Sequence, residues 1–246
     1  MATRPSLTIA LPAYNEAENI EPMLTDVVRV AATVSDDYEV IVVDDGSRDD
    51  TAQVVRRFAV VQPRVRLVEH PRNLGYGAAV YDGLTSATKE WVFFTDSDRQ
   101  FVLDELRLLF EKVDGADLVA GYRAPRQDPP LRLLYGWGWN LVVRLLFGHT
   151  VRDVDCAFKL MRRELVRQVA PLVMSRGATF SAEWLVVSKK LGFRIAEVPV
   201  THRARTAGKP TGARLHVVWR AFRELFRFRF RLWREGLPAA RRQASG

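Results

Sequence analysis

Short β-branched runs alternate with helical stretches through the first half of the chain. This alternation constrains the fold more than any other feature, because it is the pattern of a parallel sheet with crossover helices. Strands are expected at LTIAL (7 to 11), YEVIVVD (38 to 44), VRLVE (65 to 69), WVFFTD (91 to 96) and ADLVAG (116 to 121). Helices are expected from Glu16 to Ala32, Thr51 to Val61, Gly77 to Ala87 and Leu103 to Val113. Asp49 or Asp50 can cap the second helix, and Asp104 and Glu105 put negative charge in the first turn of the last, where the helix dipole favours it. In such a sheet, ligands bind beyond the carboxyl ends of the strands. The expected crevice is lined by Tyr14 to Glu16, by Asp44 and Asp45, and by Asp96 to Gln100.

With 246 residues, 48% of them hydrophobic, the chain can fill one large domain and a terminal extension. The expected division is a main domain over residues 1–212 and a basic aromatic helix and tail over 213–246. A single cysteine, Cys156, cannot close an internal disulfide, so a cytosolic or cytosol-facing protein is expected. The opening residues MATRPSLTIALPAYNE run straight into a strand without the pattern of a secretory signal. The nearest approach to a membrane span, LVVRLLF, is interrupted by Arg144.

Charge divides the chain. Residues 1 to 120 carry 12 basic and 21 acidic side chains, net −9, whereas residues 121 to 246 carry 25 and 8, net +17. An acidic first half suits a metal site, and a basic second half suits phosphate, nucleic acid or a lipid surface. The plain alternative is that the arginines only solubilise helices. After Gly121 come a Pro- and Arg-rich loop, the amphipathic segment LRLLYGWGWNLVVRLLFG, a further strand at RIAEVPV (194 to 200), and a basic loop. The closing segment LHVVWRAFRELFRFRFRLWRE interleaves Trp219, Phe222, Phe226, Phe228, Phe230 and Trp233 with arginines. That mixture suits an interfacial helix among anionic headgroups, or else a helix packing Leu215, Val218, Phe222 and Leu225 onto the domain.

Asp96 and Asp98 follow a strongly apolar strand. Two carboxylates one residue apart at a strand end, with the Gln100 amide oxygen two residues on, can face a hard divalent cation such as Mg²⁺ or Mn²⁺. A cation held there would bridge a diphosphate and neutralise it as a leaving group. Taken alone, D-x-D is more often a solvated turn, and helix capping and turn chemistry account for Gly46, Ser47 and Asp50 without a ligand. Two adjacent carboxylates, Asp44 and Asp45, are not explained that way.

The motifs PAYNE, VDDGSRDDT, NLGYGAA and DSD occur in this order, each after an expected strand. In this the chain resembles the family 2 glycosyltransferases. The resemblance implies a GT-A fold, an α/β architecture with a mostly parallel sheet flanked by helices and, here, C-terminal amphipathic helices. It also implies a nucleoside diphosphate sugar donor, UDP- or GDP-linked, and inversion at the anomeric carbon. Pro12, Tyr14, Asn15, Glu16, Asp44 or Asp45, Asn73 and Gly75 would bind the donor, and Asp96, Asp98 and Gln100 the cation.

The second half is similar to the branch acting on polyprenyl phosphates, typified by dolichol-phosphate mannosyltransferase. The match lies in Gly121-Tyr122-Arg123, Arg132 with Asn140, Asp153 to Lys159, and Glu197 to Val200. It implies catalytic roles for Asp96, Asp98, Arg123, Arg132, Asp153 and Lys159, and acceptor-phosphate contacts from Arg126, Arg203, Arg205 and Lys209. Ala157 stands where that branch often has Gly, and the C-terminal transmembrane helices of some members are not expected here. Attachment to the cytosolic membrane face would then come from the protein surface or from a small transmembrane partner.

A phosphate oxygen is anionic at pH 7 and attacks without a general base, whereas a sugar hydroxyl must lose a proton. Basic residues that position the acceptor then matter more than a catalytic carboxylate, and bidentate Arg suits phosphate. Were the acceptor a sugar or lipid hydroxyl, Glu183 is the carboxylate nominated as base; the reading preferred for it is that it orients the acceptor or packs at a helix start. The Q-x-x-R-W motif of processive synthases is absent. His70, His149, His202 and His216 lack metal-ligand spacing and default to structural roles. A nucleic-acid partner is disfavoured by the acidic first half. Mannose, glucose and N-acetylhexosamine donors all remain open.

Overall fold

The computed structural model describes residues 4–125, 130–204 and 215–236. Seven strands form one sheet: β1 (Leu7–Ala13), β2 (Tyr38–Asp44), β3 (Val65–Glu69), β4 (Trp91–Thr95), β5 (Leu118–Arg123), β6 (Phe158–Arg162) and β7 (Ile195–Val200), in the order β3-β2-β1-β4-β6-β5-β7. β1 pairs in parallel with β2 and β4, β2 with β3, and β5 with β7. β6 runs antiparallel to both β4 and β5. The expected α/β, mostly parallel architecture is therefore present, and the first four strands begin where the hydrophobic runs placed them.

The helices are α1 (Ala17–Val34), α2 (Thr51–Val61), α3 (Tyr76–Thr85), α4 (Leu106–Phe110), α5 (Pro130–Phe147), α6 (Arg163–Val169), α7 (Phe180–Lys190) and α8 (Leu215–Glu235). The helix expected from Leu103 to Val113 is broken into 3₁₀ turns on either side of the short α4. Its acidic start is drawn elsewhere. Asp104 makes a bidentate pair with Arg29 at 2.8 and 2.9 Å, and Glu105 accepts the Thr201 amide at 2.6 Å. β6 was not expected as a strand.

Central strands are buried along their full length, as parallel strands covered on both faces must be. The core spans the sheet, with Phe93 meeting Phe158 edge to face at 4.7 Å between centroids. α8 packs back onto this body. Leu225 and Phe228 join the main core, Phe228 stacks on Phe147 of α5 at 5.0 Å, and Phe222 meets Trp139 of α5 at 5.9 Å. Among the described residues no helix is long and apolar enough to cross a membrane.

Candidate active site

The strand tips are tied to one another before any ligand is considered. Asp45 N–H donates to the Ala13 carbonyl at 2.8 Å, joining β2 to β1, and Ser97 Oγ donates to the Pro12 carbonyl at 2.7 Å, joining the turn after β4 to β1. Asn15, one of two non-glycine residues with positive φ among the described residues, interlocks with the next turn. Its N–H donates to Ser47 Oγ at 2.9 Å, and its Oδ1 accepts from Arg48 N–H at 2.8 Å. Thr51 Oγ1 accepts from the Glu16 N–H at 2.9 Å. Tyr14, half-buried, stands between these tips.

Asp44 and Asp45 are adjacent in sequence but take different work. Asp44 is 4% exposed and accepts from Ser47 N–H and Oγ; burial raises its pKa despite those hydrogen bonds. Asp45 is turned inward, where its Oδ1 meets His70 Nδ1 at 2.7 Å and Leu74 N–H at 2.8 Å, and its Oδ2 accepts Gly75 N–H at 2.9 Å. Of the two, Asp45 is engaged by its own protein, as is the Asn15 side chain. Gly46, at φ 67°, is a position only glycine can fill, because a Cβ there would sit 2.3 Å from the Arg72 carbonyl carbon. Asn73 is exposed beside it.

Across the crevice, Asp96 Oδ1 is buried and meets no hydrogen-bond donor among the described residues. Burial and the charge of Asp98 push the Asp96 carboxyl up to about 7, against opposing pulls from Tyr76, Lys159 and Arg123. Such a pair calls for a cation. Gln100 is 8% exposed, and its Nε2 donates to the Arg203 carbonyl at 2.9 Å. That bond fixes the amide plane and leaves Oε1 without a protein partner among the described residues, as expected for an amide ligand oriented from behind. Asp96, Asp98 and Gln100 thus fit a hard divalent cation. No cluster of three or more His, Cys, Asp or Glu side chains suited to a metal occurs among the described residues, so the remaining coordination would fall to phosphate and water.

The basic wall is built from Arg123 on β5 and Lys159 on β6, held by the segment between them. Arg123 is clamped to Asp153 by Nε to Oδ2 at 2.6 Å and Nη2 to Oδ1 at 2.7 Å, and the pairing outweighs burial in raising the Arg123 pKa. Lys159 is 1% exposed. Its Nζ donates to the Val154 carbonyl at 3.1 Å and to that of Cys156, and burial lowers its pKa. Asn140 Oδ1 accepts Val154 N–H at 3.0 Å, pinning the same segment to α5. Arg203 is exposed along a groove of about 280 Å³ shared with Arg99, Asp26 and Phe101. Arg126, Arg205 and Lys209 lie outside the described residues, as does the side chain of Arg132.

Two residues were missed from sequence. Tyr76, the first residue of α3, has a ring that is 40% exposed, but its hydroxyl is held protonated by burial and by the charges of Asp96, Asp155 and Asp98. Asp155, between Asp153 and Cys156, is exposed beside this cluster. The signal for Tyr76 was its place inside NLGYG.

Glu183 packs near the start of α7. Its buried carboxylate accepts Met174 N–H at 3.0 Å and Ser175 N–H at 2.8 Å and pairs with Arg231 of α8. These partners make it a structural anchor between the 174–175 segment and α8. His202 is buried against Phe101, and His70 is buried between two carboxylates, in keeping with structural roles.

A mostly parallel sheet with an acidic turn after β4, and with an antiparallel β6 carrying a buried lysine, defines a GT-A glycosyltransferase fold. Glucosyl-3-phosphoglycerate synthase of Mycobacterium tuberculosis, solved with Mn²⁺, UDP and phosphoglyceric acid, superposes with a TM-score of 0.68 at 23% identity, over 96% of this chain and 80% of that one. The chain belongs to glycosyl transferase family 2, whose model matches residues 8–170. It is 33% identical to a dolichyl-phosphate beta-glucosyltransferase of Trichomonas vaginalis over 78% of this chain. It is 31% identical to an undecaprenyl-phosphate 4-deoxy-4-formamido-L-arabinose transferase of Pseudomonas fluorescens over 82%. The chain spans 62% and 58% of the lengths of those two relatives.

Proposed function

We propose that this protein transfers a sugar from a UDP- or GDP-sugar to the phosphate of a polyprenyl phosphate, with inversion, at the cytosolic face of a membrane. One observation carries the reading. The crevice sets a buried carboxylate oxygen without a donor, Asp96 Oδ1 beside Asp98, against a buried basic wall of Arg123 and Lys159. An acidic end suits a metal diphosphate, and a basic end suits a second anion. The names of the relatives, which act on dolichyl and undecaprenyl phosphates, support the same acceptor class.

Asp96, Asp98 and Gln100 would hold Mg²⁺ or Mn²⁺, whose charge offsets that of the departing diphosphate. Tyr14 stacks on the base, Asp44 accepts hydrogen bonds from the nucleoside, and Pro12, Glu16, Asn73 and Gly75 shape the pocket, with Asp45 and Asn15 holding the turns behind them. The acceptor phosphate is already anionic. Its oxygen forms the bond to the anomeric carbon as the bond to the diphosphate oxygen breaks, and no proton needs a base. Arg123, oriented by Asp153, faces the acceptor, and Lys159 adds positive charge from below. Arg126, Arg132, Arg203, Arg205 and Lys209 complete the acceptor side.

The exposed aromatics Phe226, Phe230 and Trp233 on α8, with Trp137 and Leu145 on α5, form the surface that meets the bilayer. A small transmembrane partner could share it. The occupied Glu183 leaves a hydroxyl-acceptor reaction without the base nominated for it.

The test is a panel of UDP- and GDP-sugars with Mn²⁺ or Mg²⁺ and a short polyprenyl phosphate. A metal-dependent glycolipid that Asp98→Ala abolishes is the expected result. Purified protein that ignores every donor overturns the reading.

A further inference from the structure

His70 follows β3 and is 8% exposed, with both ring nitrogens engaged by carboxylates from different elements. Nδ1 lies 2.7 Å from Asp45 Oδ1 at the end of β2, and Nε2 lies 2.8 Å from Asp82 Oδ2 on α3. Both contacts are hydrogen bonds to ionised carboxylates only if both nitrogens carry protons. The backbone of His70 is used as well, its N–H donating to the Asp44 carbonyl at 2.9 Å.

What the ring holds is the loop that the donor reading depends on. Asp45 Oδ1, the atom that faces His70, is the same atom that accepts Leu74 N–H, and Asp45 Oδ2 accepts Gly75 N–H. Gly75, at φ 105°, then starts α3, whose first residue is Tyr76. The loop is pressed onto Gly46 so closely that a Cβ there would lie 2.6 Å from Asn73 N. One imidazolium therefore joins the turn bearing Asp44 to the segment bearing Asn73, Gly75 and Tyr76.

The geometry points to His70 as a positioning residue for donor binding: an imidazolium strut between Asp45 and Asp82 that sets the separation of the Asp44 turn and the 73–76 segment. The inference rests on the donor-site reading given above. His70 touches no substrate and acts through Asp45. The charged groups acting on the ring are Asp45 and Asp82, and Arg176 packs over Tyr81, the neighbour of Asp82, at 3.6 Å. Burial alone would lower the ring's pKa, but the two carboxylates outweigh it and the pKa is raised. The strut is therefore complete below that raised value and is lost as pH climbs through it.

The experiment measures UDP and GDP affinity by calorimetry in Mg²⁺ between pH 6.5 and 9.5, for the wild type, His70→Asn, His70→Gln and Asp82→Asn. An Asn amide nitrogen replaces Nδ1 and keeps the bond to Asp45, whereas a Gln amide nitrogen replaces Nε2 and keeps only the bond to Asp82. His70→Gln should weaken nucleotide binding about tenfold, the equivalent of one charge-assisted hydrogen bond, with kcat at saturating donor changed by less than about twofold. His70→Asn should retain more affinity than His70→Gln and lose the alkaline fall. Asp82→Asn should shift that fall to lower pH. Nitrogen-15 spectra of the wild type at pH 6.5 should place both ring nitrogens predominantly in the protonated class. A wild type that binds neither nucleotide sinks the donor reading itself. A wild type that binds, alongside a His70→Gln protein of equal affinity or a ring that is already neutral at pH 6.5, overturns the role of His70 alone.

Discussion

Arg123 and Asp153 meet as a bidentate pair with their side chains 9% and 6% exposed, at the boundary between β5 and the segment leading to β6. Removing one partner from such a pair strands the other charge away from water, which costs roughly 3 to 5 kcal/mol. Asp153→Asn should destabilise the fold by about that much in urea unfolding. Replacing both residues by Leu should cost markedly less, because no orphaned charge remains. The double variant should nonetheless be inactive, since the acceptor loses its cation. A double variant as unstable as Asp153→Asn would show that the pair is not the source of the effect.

Asp96 supplies a pH dependence whose sign can be worked out. Burial and the neighbouring Asp98 raise its folded pKa to about 7 from the model-compound value of 3.8. The folded state therefore holds a proton that the unfolded state has released, and stability falls as pH rises from about 4 to about 7. A divalent cation reverses this, because it favours the carboxylate over the acid. The thermal midpoint should respond more strongly to added Mn²⁺ at pH 8 than at pH 5.5, and Asp96→Asn should flatten both trends. Equal midpoint shifts at the two pH values would remove the cation from this turn.

Glu183 joins α8 to the body of the protein. Its carboxylate receives Met174 N–H, Ser175 N–H and the Arg231 guanidinium, while Glu224 of α8 accepts Thr179 Oγ1 at 2.8 Å nearby. In Glu183→Gln an amide NH₂ must face a donor, leaving a buried group unmet at a cost of about 1 to 3 kcal/mol. The expected outcome is a lower unfolding midpoint and faster tryptic cleavage within α8, with turnover surviving below that midpoint. Complete loss of turnover in a stably folded Glu183→Gln protein would restore the residue as a base.

The parts legible in the sequence were those fixed by local pattern. β1, β2, β3 and β4 are apolar runs bounded by turn residues, and the rule that ligands gather at carboxyl ends put their tips in one crevice. β6 was not legible: FKLMR is five residues long, carries a buried lysine, and owes its antiparallel place between β4 and β5 to pairings far along the chain. The roles of Asp44 and Asp45 could not be separated either, because strand alternation ends at the turn and His70, 25 residues away from Asp45, decides which carboxylate turns inward. Glu183 read as a helix-start carboxylate because its partner Arg231 lies 48 residues on. Tyr76 was hidden inside a glycine motif whose backbone role alone seemed to account for it.

The outer face of α8 provides the remaining prediction. Leu225 and Phe228 are buried against the domain, while Phe226, Phe230 and Trp233 are 56%, 55% and 73% exposed, flanked by exposed Arg223, Arg227 and Arg234. Phe230 and Trp233 lie 5.7 Å apart, close enough to enter a headgroup layer together. Burying each ring contributes about 1.5 kcal/mol or more, so Phe230→Ala with Trp233→Ala should weaken partition into anionic vesicles on the order of 100-fold. Arg227→Gln with Arg234→Gln should remove about 1 kcal/mol per charge on anionic vesicles and little on neutral ones. Both effects are read by co-sedimentation, the second also by its suppression in salt. Because neither pair touches Glu183 or the crevice, donor hydrolysis in the absence of vesicles should be unchanged. Aromatic variants that partition like the wild type would show that this face serves a protein partner instead of a bilayer.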